Sequence, residues 1–147
     1  MLWDYAVYIV KSMDRNNVVL MVDNEPLTLR LFGSYFARAG LELIPAYDCD
    51  QCHEIAKRMC PRVILLGYSV SPSDGLKTLA RLKSEDVTRD IPVIVFTNKD
   101  FGVEAAQTAN KLGVNAYFHK GVPFKEVLHK VHEVLVPRRG HTSSGAA

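Results

Sequence analysis

PRVILLGYSVSPSDG, residues 61–75, holds four consecutive apolar positions, Val63 to Leu66, that stop at Gly67 before a loop of Ser, Pro and Asp. A strand that is apolar at every position has no face for water. It is stable only with both faces covered, the condition of a parallel sheet between helices. Four more short runs flank it, over residues 18–22, 41–46, 93–96 and 116–118, each rich in β-branched or aromatic residues.

The segments between these runs carry helical spacing. Leu27, Leu31, Phe32, Tyr35 and Phe36 repeat at three and four, as do Cys52, Ile55, Ala56 and Met59. Leu76, Leu79 and Leu82 follow, then Ala105, Ala109 and Leu112. The clearest stripe is Phe124, Val127, Leu128, Val131 and Leu135, with Pro123 at its start, where a missing N–H costs nothing. Strands alternating with helices predict a (βα)5 architecture: a doubly wound, five-stranded parallel α/β sheet, because parallel neighbours need right-handed helical crossovers.

At 147 residues and 48% hydrophobic, the chain suits one domain with its own core. A net charge of +2 argues for neither nucleic acid nor a membrane surface. Three cysteines, Cys49, Cys52 and Cys60, make a disulfide framework improbable and fit a reducing, cytoplasmic setting. The opening MLWDYAVYIVKSM is broken by Asp4 and lacks a leading basic residue, so it reads neither as a signal peptide nor as a membrane span. The expected division is an extension over residues 1–16, a domain over 17–136 and a disordered tail over 137–147, whose small polar residues cannot bury enough surface to order themselves.

In open α/β sheets the functional crevice lies beyond the carboxyl ends of the strands, where strand order reverses. The residues to inspect are Asp23 and Asn24, Tyr47, Gly67, Thr97 and Lys120. With VVLMVDNE (18–25), ILLGYSVSPSDG (64–75), IPVIVFTN (91–98) and GVNAYFHKGVPF (113–124) in this order, the chain resembles the receiver domains of bacterial two-component response regulators, which have a flavodoxin-like fold. The resemblance covers residues 17–136.

The resemblance implies a phosphorylation pocket. In active members an acidic pair after the first strand and a phosphoacceptor aspartate ending the third hold Mg²⁺, while a hydroxyl and a lysine contact the phosphoryl oxygens. It assigns Asp23 and Asn24 to the acidic pair, Thr97 to the hydroxyl, Lys120 to the ammonium, Tyr117 to the switch aromatic and Gly67 to the phosphoacceptor position. Glycine has no oxygen to take a phosphoryl group. Three carboxylates against one lysine would leave two negative charges to match Mg²⁺, whereas Asp23 against Lys120 leaves none. The expectation is a degenerate pocket with no metal and no cofactor, closed by an Asp23–Lys120 ion pair. Gly121 stands where the family commonly has a proline, and Asn98 where it commonly has a small residue.

Plainer readings accompany each assignment. Asp23 also suits the start of a helix. Lys120 without a phosphate is a structural partner, and Tyr117 without a switch is a half-buried strand-end aromatic. CDQCH, residues 49–53, matches the haem-attachment pattern, but that chemistry needs export and Cys52 lies on a helical stripe. A zinc site of Cys49, Cys52, His53 and Cys60 would be spread apart by a helix. His129 and His132, with Lys125 and Lys130, form a solvated face. If helical, LWDYAVYIV is apolar almost all round and buries against the domain or another chain; alternatively, the domain begins at Met13.

These readings predict a stand-alone, non-enzymatic pseudo-receiver that binds a signalling partner, a histidine kinase or an output protein, without phosphorylation. A homodimer is a further assembly, and neither nucleic acid nor membrane is a direct partner. The family's usual interface would fall on Phe101, Val103 and Gln107 of the fourth helix, Tyr117 and His119 of the fifth strand, and Lys125 and His129 of the fifth helix. Two alternatives are a receiver phosphorylated at Ser69, Ser71 or Asp74, and a flavodoxin-like cofactor carrier. The second lacks a glycine in DNEPLT, where a phosphate loop would sit.

Overall fold

Val18–Val22 (β1), Val63–Gly67 (β3) and Val93–Thr97 (β4) form the middle of the sheet, and every residue of β1 and β4 is buried. The computed structural model describes residues 17–67, 72–97, 102–119 and 121–135. Residues 1–16, 68–71, 98–101, 120 and 136–147, and the expectations that fall on them, lie outside the described residues. Glu42–Ala46 (β2) and Ala116–His119 (β5) are the edges of a parallel sheet with strand order β2-β1-β3-β4-β5. Pro45 is tolerated because β2 pairs on one side only. The order reverses between β1 and β3, which places the crevice over the ends of these two strands.

Five helices cover the faces: Pro26–Arg38 (α1), Cys49–Met59 (α2), Pro72–Ser84 (α3), Gly102–Lys111 (α4) and Phe124–Leu135 (α5). Alternate residues of β1 point to opposite faces. Val18, Leu20 and Val22 meet Cys52, Ile55 and Ala56 of α2 and Leu79 and Leu82 of α3 in an aliphatic cluster. Val19 and Met21 face α1 and α5. Here the filling is aromatic: the Phe32 ring lies 5.1 Å from Phe96, and Phe36 lies 5.0 Å from Phe124, both edge-on. Burying the Phe36 side chain contributes about 1.5–3 kcal/mol.

Local signals set the helix ends. The Asp48 side chain accepts from the Gln51 N–H at 2.8 Å, and Gln51 Oε1 accepts from the Tyr47 N–H at 2.9 Å, so α2 begins with reciprocal caps. It ends on Cys60 in the left-handed region (φ 47°), where Gly40 and Gly113 serve after α1 and α4. Pro26 occupies the first turn of α1, but Pro123 stands just before α5, its carbonyl accepting from the Glu126 N–H.

The apolar stripe of α1 differs from the sequence reading. Leu29, Phe32 and Phe36 are buried, whereas Leu27 is 74% and Leu31 46% exposed. Leucines at three- and four-residue spacing occur on both sides of this helix, and only contact with the sheet selects the inner set.

Candidate functional site at the strand ends

The main chain positions Asp23 directly past β1: its N–H donates to the Ala46 carbonyl of β2 at 3.0 Å. Its Oδ1 accepts from the Glu25 N–H at 2.9 Å, a tight local turn into α1. Asp23 is 1% exposed. It organises the entry to α1 without occupying the cap position, which is Glu25. Asn24 is exposed, and so is Glu25, whose carboxylate lies 3.5 Å from the Thr28 hydroxyl.

Opposite Asp23, β3 ends at Gly67, paired with Phe96 of β4. A Cβ at residue 67 would lie 2.6 Å from the Val22 carbonyl oxygen and 3.1 Å from Asp23 Oδ2. A carbon cannot sit 2.6 Å from a main-chain oxygen without moving the strand. The backbone at Gly67 is not in the left-handed region, so space, not torsion, calls for glycine. Val22 and Asp23 thus close over the end of β3.

Thr97 is fully buried at the end of β4, beside His119 of β5. Tyr117 pairs with Val95 and packs, partly buried, against the aliphatic cluster. Asp23, Gly67 and Thr97 therefore gather at the strand ends as expected; Lys120, and with it the proposed ion pair, lies outside the described residues. Asp23 is the buried carboxylate that the described residues bring to this point. Magnesium seeks several oxygen ligands in an octahedron, and a single buried carboxylate beside a glycine does not fit that need.

On the expected interface, Val103 is 73% exposed, and Gln107, His119, Lys125 and His129 are exposed as well. Val103 and Gln107 lie one turn apart on α4, as do Lys125 and His129 on α5. Phe101 falls outside the described residues. Tyr47 is 49% exposed, and Asp74 lies exposed in the first turn of α3.

The cysteine motif resolves into packing. Burial pushes the Cys52 thiol up to about 12, which keeps it neutral. Burial also raises Cys49, whose Sγ lies 3.7 Å from the Asp74 carbonyl. No group of three or more His, Cys, Asp or Glu side chains among the described residues is arranged to hold a metal ion.

One cluster was not anticipated. His53 of α2 is buried between Arg81 and Glu85 of α3, and Arg81 reaches on to Asp50. Beside it a cleft of about 370 Å³ is lined by Asp48, Cys49, Asp50, Asp74, Lys77, Thr78 and Arg81. The available signal was the position of His53 next to Cys52 on the inner side of α2; nothing local tied it to residues 81 and 85.

The five parallel strands in the order β2-β1-β3-β4-β5, covered by helices, define a flavodoxin-like α/β domain. The sequence matches the response regulator receiver domain over residues 19–132, and the chain belongs to that family. It is 27% identical over 117 residues to the phosphate regulon transcriptional regulatory protein PhoB of Pseudomonas aeruginosa, covering 80% of this chain and 51% of that protein. It is 30% identical over 130 residues to the probable transcriptional regulatory protein TcrX of Mycobacterium tuberculosis, covering 87% and 54%. The chain thus spans about half the length of the curated relatives it matches. Among solved structures, the BeF3-activated receiver domain of Klebsiella pneumoniae RstA superposes with a TM-score of 0.73 at 19% identity, covering 82% of this chain and all of that one. The N-terminal domain of a response regulator receiver protein from Methanoculleus marisnigri shares 30% identity at a TM-score of 0.64, covering 82% and 98%. No helix among the described residues is long and apolar enough to cross a membrane.

Proposed function

We propose that this domain is a pseudo-receiver, which signals by binding a partner protein and takes no phosphoryl group at the end of β3. The observation that carries the reading is the contact at Gly67: the residue has no acceptor oxygen, and the Val22 carbonyl occupies the space that any side chain would need. Asp23 remains as a buried carboxylate that fixes the β1–α1 turn. The domain binds no magnesium and performs no catalysis. Output passes through the surface formed by α4, β5 and α5, with Val103, Gln107, His119, Lys125 and His129 exposed on it. The partner is a signalling protein, a kinase or an output protein, or a second copy of the domain.

The test is incubation with a small-molecule phosphodonor and magnesium, followed by intact mass and by amide spectra with beryllofluoride. Unchanged mass and unshifted amides around Asp23 are the expected result. A gain of one phosphoryl group, at Asp74 or any serine of the loop, overturns the reading.

A further inference from the structure

His53 lies in the packed face of α2 with its side chain 6% exposed, held by two charged residues of α3. Arg81 Nη2 is 3.0 Å from Nδ1, and Glu85 Oε2 is 2.5 Å from Nε2. A guanidinium carries only donors, so Nδ1 must present its lone pair. The ring's single proton therefore sits on Nε2 and is donated to the Glu85 carboxylate. Arg81 Nη1 continues to Asp50 Oδ1 at 3.5 Å, so a chain of four polar side chains links the two helices.

The surroundings leave the ring few other choices. Behind α2 the strands present Val18, Leu20, Ile44 and Ala46, which are apolar. On α2 itself, Cys49 and Cys52 remain neutral thiols, and Lys57 adds positive potential at Glu85. Arg81 and Glu85 are the charged groups that α3 turns toward the ring, and Asp50 reaches it only through Arg81.

We propose that His53 is a proton-operated clasp between α2 and α3, independent of the reading of the strand-end pocket. With the ring neutral, Arg81 donates to Nδ1 and is held at the wall of the cleft. When a proton from solvent bonds to Nδ1, the Arg81 N–H···N bond is lost and two donors face each other. Arg81, whose side chain is already 55% exposed, then leaves the ring for Asp50 and solvent, while Nε2 keeps its bond to Glu85. The charged wall of the cleft is rearranged on the helix that follows Gly67. The domain thereby carries a surface that responds to acidity, which requires no phosphate.

The test uses the full chain, labelled with nitrogen-15, and follows the imidazole nitrogens by long-range correlation spectra from about pH 8 to pH 5. At the upper end Nε2 carries the proton and Nδ1 is bare. On acidification the amides of residues 50, 81 and 85 shift with the midpoint of His53. In His53→Gln those shifts are lost. In Arg81→Met, a surface change that leaves the core intact, the ring still titrates but the amide of residue 81 no longer follows it. A proton on Nδ1 at the upper end, or a titrating His53 with stationary amides at 50, 81 and 85, overturns the proposal.

Discussion

At the carboxyl ends of β1 and β3 the main chains draw so close that residue 67 has no room for a side chain, and Asp23 is sealed beneath. Between α2 and α3 the opposite holds: a cleft stays open, lined by carboxylates and bases, with a histidine buried at its side. The first region is the one to which the resemblance assigns the family's chemistry, and at residue 67 it offers no space for a side chain. The second has no part in that chemistry, and there Arg81 joins Asp50 to the buried His53. The difference teaches that a close main-chain contact constrains a position more firmly than the loss of a side-chain atom would. A side chain is exchanged by one substitution, whereas a carbonyl 2.6 Å from where its Cβ would lie has to be moved with its strand.

The largest expected effect comes from putting a side chain back. Gly67→Asp forces the β1 and β3 ends apart and buries a second carboxylate beside Asp23, so it should lose about 3 kcal/mol or more in denaturant unfolding. Gly67→Ala isolates the steric part, with a loss of about 1–3 kcal/mol. Unchanged stability together with beryllofluoride binding by Gly67→Asp would erase the contrast between the regions.

On the other side of the comparison, His53→Ala removes a ring that satisfies both Arg81 and Glu85. A loss of about 1–3 kcal/mol is expected, read as a lower unfolding midpoint. The pH dependence sharpens this. Hydrogen bonding from His53 holds the Glu85 carboxyl below its ordinary value of 4.5. A depressed folded value means stability that is present above 4.5 and lost as pH falls below it through the folded value. Glu85→Gln should therefore lose less stability than the wild type across that window. The difference should be small, because the carboxylate side chain is 38% exposed and screened by water. Equal acid curves for the two proteins would count against the bond.

Cys60→Gly should gain about 0.5–1 kcal/mol, since glycine adopts the left-handed cap of α2 without strain. The smallest effect belongs to Leu27→Ser with Leu31→Ser, within about 0.5 kcal/mol in thermal unfolding. A large loss there would restore the outer leucines of α1 to the core.

Much of this was legible in the chain itself. The central strands announce themselves because burial on both faces leaves no position for a polar residue. Once the strands are placed, their last residues follow, and Asp23, Gly67 and Thr97 could be named from topology. The glycine at 67 was visible, but its cause was not: its neighbour is a carbonyl 45 residues earlier in the chain, and no pattern encodes how near two main chains pass. The α1 stripe failed because Leu27 and Leu31 satisfy the same spacing as Leu29, Phe32 and Phe36. His53 was set aside with the cysteines because its partners lie 28 and 32 residues away, on another helix.

Hydrophobic periodicity, a local property that survives in the unfolded chain, determined the five βα units, the parallel sheet and the order in which polar residues reach its end. The tertiary structure decided whether those residues have room around them. Distances between strands and between helices are set by the sum of all packing contacts, so only the folded chain reveals that the Val22 carbonyl leaves residue 67 no room for a side chain while a charged cleft remains open elsewhere.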